Sequence, residues 1–194
     1  MCEKTPADAL KDELFYSPEH AAFTCEDGEI ETADSFCGDY IDFLNRCKTE
    51  REVAAYVKTL AEENGFIPFD PDGSYEPGDK VYYDNRGKAL ILCVFGKQSL
   101  KSGAKIVASH IDSPRLDLKP NPLYEDTDLA LFKTHYYGGI KKYQWTAIPL
   151  SLHGVICRKD GTKVTVRLGE DEGDPQFVVT DLLPHLDRQQ AKRS

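Results

Sequence analysis

Histidine-containing segments hold the side chains whose types and spacing favour chemistry. The sharpest is a run of isoleucine, valine and alanine that ends in His110-Ile111-Asp112. Side chains alternate along an extended chain, so His110 and Asp112 lie on the same side of it. Catalytic groups of α/β folds collect at the carboxyl ends of strands. The pattern is compatible with a metal-binding His110 whose ring Asp112 orients or whose chemistry Asp112 assists. A half-buried histidine beside a solvated aspartate is the alternative.

A second segment, residues 135–145, contains the single tryptophan, three tyrosines and the pair Gly138-Gly139. Glycine lets the backbone turn sharply or approach a ligand closely. Aromatic side chains with a polar tip are common at interfaces. The segment is compatible with a ligand-facing or interface loop, and a loop whose aromatic rings pack on a neighbouring element is the interpretation that the residues favour.

The other histidines carry weaker patterns. His185 follows Pro184, which suits presentation at a surface or an interface, and a structural role is the alternative. His153 lies within an apolar strand, where packing is the expected role. Phosphate-binding loops, dinucleotide fingerprints, nucleophile elbows and His-Glu-x-x-His pairs have no match in the sequence.

Composition limits the classes of function. The 194 residues carry 24 Lys and Arg against 33 Asp and Glu, a net charge of −9. This balance argues against nucleic-acid binding and against adsorption to anionic membranes. Residues 89–95 form the longest apolar run, far short of the roughly 20 residues that a membrane span needs. With no signal peptide at the N-terminus and six scattered cysteines, we expect a soluble cytoplasmic protein with reduced thiols.

Two helices are predicted in the first third of the chain. Residues 34–47 place apolar side chains along one stripe. The next helix has a capping box, in which Thr49 is the N-cap and Glu52 lies three residues on. Asn64-Gly65 ends this helix. Residues 25–33 are predicted to be a loop.

Strands are predicted from residue 80 onward. Residues 80–84, 88–95 and 105–109 are β-rich. Residues 89–95 are apolar on both faces, as in a central strand buried on both sides. After residue 120 short strands follow without helices, and their predicted positions are 129–134, 150–157, 163–168 and 177–180. The pattern predicts an α/β layer followed by a smaller β-rich domain.

These motifs together resemble one known family. The string from Ser109 to Pro120 resembles the first metal-site motif of the aspartyl aminopeptidase (aminopeptidase I) family of zinc metallopeptidases, in its bacterial branch. Tyr137-Gly138-Gly139 and its surroundings resemble the next motif of that family. Residues 177–186 resemble the stretch where its lid domain leads into a helix.

The resemblance implies an α/β zinc-peptidase domain interrupted by a β-rich lid and dimerisation domain, here residues 1–119 and 120–194. Family members bind two divalent metals, usually zinc, and remove N-terminal residues from peptides. They assemble into dodecamers built from dimers. By position, His110 matches the first metal-ligand histidine and Asp112 the aspartate that supports it. His185 lies near a lid histidine that contributes to the active site of a neighbouring subunit.

The resemblance also implies that further site residues lie beyond the lid. They are a bridging aspartate, a pair of glutamates that includes the general base, another acidic ligand and a last histidine. The chain stops at Ser194, before any of them. We therefore expect a zinc aminopeptidase by family whose 194 residues are inactive alone. A non-catalytic dimerisation module and a gene fragment without an independent role are the alternatives.

Overall fold

The computed structural model describes residues 5–183 and 185–186 of the chain. The chain divides into two units, Met1–Arg46 and Cys47–Ser194. None of the described helices is both long and apolar enough to cross a membrane.

Two helices make up most of the first unit. Helix α1 spans Pro6–Leu14 and helix α2 spans Glu29–Arg46. Helix α2 begins five residues before the predicted start, so the prediction of a loop through residue 33 was wrong. The carboxylate of Glu29 accepts a hydrogen bond of 3.0 Å from the backbone N–H of Glu26, which satisfies a donor at the helix start.

Helix α3, Glu50–Glu63, opens the second unit and confirms the predicted capping box. The Thr49 hydroxyl accepts a hydrogen bond of 3.3 Å from the Glu52 N–H. The Glu52 carboxylate accepts one of 2.9 Å from the Thr49 N–H. Two donors at the helix end are thereby satisfied, and Asn64 caps the other end as predicted.

Thr49→Ala removes one arm of this box, and we expect it to lower the free energy of unfolding by about 1 kcal/mol. Urea denaturation followed by circular dichroism measures the change. Thr59→Ala is the matched control, since Thr59 lies inside α3 and its hydroxyl donates only to the carbonyl of Ala55. Alanine is the better helix former at such a position. Equal destabilisation by both variants would contradict the cap assignment.

A three-stranded sheet follows α3. Its strands are β1 (Ile67–Pro68), β2 (Lys80–Asp84) and β3 (Leu90–Val94), in the order β1-β2-β3. Strand β1 runs parallel to β2, and β2 pairs antiparallel with β3. The predicted strand at 80–84 is confirmed.

Helix α3 packs on strands β2 and β3, and the small core lies there. Its buried apolar residues are Cys47, Val53, Ala54, Ala61, Val81 and Tyr82. The Tyr82 hydroxyl donates a hydrogen bond of 2.6 Å to the Glu62 carboxylate and so links β2 to the helix. That hydrogen bond, with burial and the nearby negative charge, raises the pKa of Tyr82 to about 12.

Two predictions about apolar strands were wrong. Strand β3 lies at the edge of the described sheet, and its residues Ile91 and Val94 are 63% and 56% exposed. Residues 105–109 are not a strand, and Val107 is fully exposed. Strand propensity depends on packing against neighbours, and the described residues supply no partner for residues 105–109 or for the outer edge of β3.

Two antiparallel hairpins complete the second unit. Strand β4 (Arg115–Asp126) pairs with β5 (Leu129–Tyr137). Strand β6 (Leu152–Cys157) pairs with β7 (Lys163–Leu168). Strands β5, β6 and β7 confirm the predicted strands at 129–134, 150–157 and 163–168. Helices combined with parallel and antiparallel strands make this an α/β fold, as predicted.

The predicted strand at 177–180 forms only isolated bridges. Phe177 pairs antiparallel with Leu150, and Val179 pairs parallel with Thr146. These contacts hold the segment after β7 against the segment that precedes β6.

His153 on β6 lies at the centre of a polar network that joins α3 to the second hairpin. Its side chain is only 6% exposed. Nδ1 lies 2.7 Å from Oε1 of Glu52, and Nε2 lies 2.9 Å from Oε1 of Glu170. The Ser151 hydroxyl donates a hydrogen bond of 2.8 Å to the same Glu170 oxygen. The sequence predicted packing for this histidine, and the structure gives its buried ring two charged partners.

The network lowers the pKa of both glutamates. Burial alone would raise the pKa of Glu52, but hydrogen bonds from His153 and from the backbone N–H of Lys48 outweigh it. Hydrogen bonds from Ser151 and His153 lower the pKa of Glu170. Both carboxyl groups are therefore ionised at neutral pH.

Candidate functional site

The structure brings His110 and Asp112 together in the irregular segment that precedes β4. Nδ1 of His110 lies 2.9 Å from the backbone oxygen of Asp112 and 3.2 Å from its carboxylate Oδ1. Both partners are acceptors, so we assign the ring proton to Nδ1. Nε2 then keeps its lone pair, and the side chain is 83% exposed. This is the arrangement of a histidine ready to bind a metal through Nε2.

The second carboxylate oxygen of Asp112 meets the hairpin β4–β5. The hydroxyl of Tyr137, the last residue of β5, donates to Oδ2 of Asp112 at 2.5 Å. This hydrogen bond is the main cause that lowers the pKa of Asp112, with help from a backbone N–H and from His110. The same bond raises the pKa of Tyr137. Asp112 is thus held as a carboxylate with both oxygens occupied.

Arg115 covers the ring of Tyr137. Its guanidinium carbon lies 4.1 Å from the ring centroid, within the range of a cation–π contact. Nε donates a hydrogen bond of 2.7 Å to Asp117, and Nη1 lies 3.6 Å from a carboxylate oxygen of Glu50 in α3. Nη1 is buried without a hydrogen-bond partner. The negative charge of Glu50 offsets the cost of burying this charged group.

Two prolines in β4 decide which residue faces Tyr137. Pro120 and Pro122 cannot donate to the strand ladder, and the register shifts across them. The register of the hairpin tip, if continued, would place Leu118 opposite Tyr137. The shift places Arg115 there instead, and the stacking of guanidinium on ring follows from that pairing.

Gly138 allows the chain to leave β5 beside the segment that carries Asp112. Its φ is +75°, a left-handed conformation that side chains disfavour. A Cβ atom at this position would lie 3.4 Å from Cα of Pro114. The glycine therefore lets the backbone after Tyr137 lie close to Pro114, two residues beyond Asp112.

His185 lies in an exposed turn. In residues 5–183 and 185–186, no hydrogen bond or ion pair joins it to His110 or Asp112. Its predicted catalytic role stays a prediction.

The sequence predicted a site at His110 and Asp112 but did not predict the contacts that Arg115 and Tyr137 make beside it. The available signals were the motif Tyr137-Gly138-Gly139 and the proline pair in β4. Neither signal gives the register of the hairpin, which is what brings Arg115 over Tyr137.

Comparison with known proteins shows the family of this chain. Residues 43–194 match the family described as Aminopeptidase I zinc metalloprotease (M18). The chain belongs to this M18 family.

Solved and curated relatives agree with the M18 assignment. A probable M18 family aminopeptidase 1 of Clostridium acetobutylicum is 49% identical over 172 residues, which are 87% of this chain and 37% of that protein. The crystal structure of aminopeptidase I from Borrelia burgdorferi has a TM-score of 0.80 at 41% identity, with 84% of this chain and 41% of that one covered. The Saccharomyces cerevisiae mApe1 dodecamer shares the fold, with a TM-score of 0.65 at 20% identity.

The M18 chain therefore spans well under half the length of these relatives. A catalytic zinc ion takes three protein ligands. Within the described part of the chain, no group of three or more His, Cys, Asp or Glu side chains is placed to hold a metal ion. His110 fits as one ligand, and the described residues do not complete a zinc site.

Proposed function

We propose that the chain supplies part of the active site of a zinc-dependent aminopeptidase and has no peptidase activity alone. The observation that carries the proposal is the fixed pair His110 and Asp112, within a chain that belongs to a zinc metalloprotease family. His110 offers Nε2 as one metal ligand, and Asp112 holds the ring by its Nδ1 proton. When bound, the metal would supply an activated water for hydrolysis of the N-terminal peptide bond.

The proposal extends to two divalent metals, zinc being the expected one, and to peptides as substrates. The family description supports zinc. The second metal is what the resemblance of residues 109–120 to the metal-site motif of the family implies. His185 is proposed to act at the active site of a neighbouring subunit, and its exposed position supports this role.

We also propose a β-rich lid and dimerisation domain from residue 120 onward, within a dimer-based dodecamer. Support comes from the dodecameric assembly of the yeast relative with the same fold. Leu123 and Leu129 at the tip of the β4–β5 hairpin are 67% and 57% exposed, which suits a contact surface. A cytoplasmic location is part of the proposal, and the free thiols of Cys25, Cys37, Cys93 and Cys157 agree with a reducing compartment.

Reconstitution tests the function. The purified chain is mixed with the C-terminal segment of the Clostridium acetobutylicum relative, which begins where that protein's match to this chain ends. We expect zinc-dependent cleavage of aspartyl or leucyl p-nitroanilide by the mixture and none above background by either piece. We expect no activity from either piece alone because neither piece holds all the proposed metal ligands together with the general base. Release of p-nitroaniline is followed by absorbance.

Two results of the reconstitution would contradict the proposal. Metal-dependent turnover by the chain alone, abolished by His110→Ala, would contradict the proposed inactivity. If sedimentation shows that the two pieces bind but the mixture stays inactive with zinc, the proposed aminopeptidase function is wrong. A mixture treated with a chelator is the control for metal dependence.

A further inference from the structure

We infer that Tyr137 is a positioning residue for Asp112 and, through Asp112, for the ring of His110. The inference deepens the proposed function, because it concerns the histidine expected to bind metal. Its observations are the hydrogen bonds and the cation–π contact among residues of the second unit.

Asp112 divides its two carboxylate oxygens between two partners. Oδ1 faces Nδ1 of His110, and Oδ2 accepts the hydroxyl of Tyr137. The residue lies in an irregular segment, where no strand ladder fixes it. The terminal torsion of an aspartate is broad, so the Tyr137 hydroxyl is the contact that turns Oδ1 toward the imidazole.

Tyr137 is itself anchored by a chain of contacts. Arg115 lies opposite it in the ladder and stacks on its ring. The guanidinium is held by Asp117 on its own strand and by Glu50 in the first turn of α3. The position of the His110 ring thereby depends on the hairpin and on the helix, and not on the irregular segment alone.

Loss of the Tyr137 hydroxyl has a specific consequence for His110. Asp112 becomes free to rotate, and Nδ1 keeps only the backbone oxygen of Asp112 as a fixed acceptor. The preference for the proton on Nδ1 weakens, and with it the preference for a free lone pair on Nε2. A residue that merely packs would leave this tautomer balance unchanged.

The test is nitrogen-15 NMR of the histidine rings in the metal-free chain, at a pH well above the ordinary imidazole range. His110→Asn assigns the His110 signals. In Tyr137→Phe, which keeps the ring under Arg115, we expect the ratio of the Nδ1–H to the Nε2–H tautomer to fall about fivefold, the factor that one ordinary hydrogen bond provides.

Tyr136→Phe is the matched control. Tyr136 is the neighbouring residue on β5 and points to the other face of the strand, where its ring lies 5.0 Å from the ammonium of Lys142. We expect its loss of a hydroxyl to leave the His110 tautomer ratio unchanged. An unchanged ratio in folded Tyr137→Phe, or equal changes in both variants, would overturn the inference.

A second measurement does not require removal of Tyr137. With 3-fluorotyrosine at position 137 alone, Asp112→Asn should shift the fluorine resonance, because the partner of the hydroxyl changes. With the label at position 136, the same substitution should leave the resonance in place. No shift at position 137 would overturn the inference even if Tyr137→Phe fails to fold.

These readouts are independent of peptidase activity. Failure of the reconstituted enzyme to cleave substrate would contradict the proposed function and leave the tautomer result standing. An unchanged His110 tautomer ratio in Tyr137→Phe, together with an active reconstituted enzyme, would refute the positioning role of Tyr137. It would leave the proposed function standing.

Discussion

His110→Ala should lower the kcat/KM of the reconstituted enzyme by more than about 100-fold, since loss of a group that only supports a metal ligand already costs about 10- to 100-fold. The substitution removes the nitrogen proposed to bind metal. Asp112→Asn should lower kcat/KM by about 10- to 100-fold, because the amide keeps the shape of the carboxylate but loses its charge. Initial rates on an aminoacyl p-nitroanilide, with zinc in excess, measure both.

His20→Ala is the control for these two variants. His20 is an exposed histidine of the first unit, and its Nδ1 accepts a hydrogen bond of 3.2 Å from the backbone N–H of Ala22. We expect it to keep nearly full activity. If His110→Ala retained more than a tenth of the activity in a folded complex, His110 would not be a metal ligand.

His153→Ala should lower the free energy of unfolding of the second unit by about 3 kcal/mol, since hydrogen bonds to charged groups contribute about 1.5–3 kcal/mol each. The substitution leaves the carboxylates of Glu52 and Glu170 without their shared partner. Urea denaturation followed by tryptophan fluorescence measures the change. The single tryptophan, Trp145, lies in the same unit as the network.

The network also predicts a dependence on pH. The pKa values of Glu52 and Glu170 are lowered in the folded chain. Their contribution to stability is therefore complete above the ordinary glutamate pKa of 4.5 and is lost as the pH falls below it. We expect the wild-type chain to lose more stability between pH 6 and pH 3 than His153→Ala. Equal losses would contradict the role of His153, and His20→Ala should behave as wild type.

Local signals explain what could be predicted of the fold. The start of α3 depends on Thr49 and Glu52, which lie three residues apart, and the structure confirms it. Strand β7 alternates between half-buried and exposed residues, a pattern that its own sequence of adjacent residues determines. The apolar run at residues 89–95 gave the right strand but the wrong surroundings, because burial depends on neighbours that the run does not specify.

In the candidate site too, the contact between sequence neighbours could be predicted and the contact between distant residues could not. His110 and Asp112 are two residues apart, so their closeness in the sequence already keeps them near each other, although the segment is not a strand. Tyr137 lies 25 residues beyond Asp112. Its place depends on how far the prolines of β4 shift the hairpin register, which no rule of spacing gives.

The separation between His153 and its first glutamate has a consequence for how the chain folds. Strands β4 to β7 pair with their sequence neighbours as hairpins, and such pairs form in about 1–10 μs. Glu52 and His153 are 101 residues apart, so their contact requires closure of a long loop, at an entropic cost that grows with its length. During synthesis α3 emerges long before β6, so Glu52 meets His153 only after the second hairpin has been made. We expect this closure to be the slow step in folding of the second unit. We therefore expect His153→Ala to change the rate of that step.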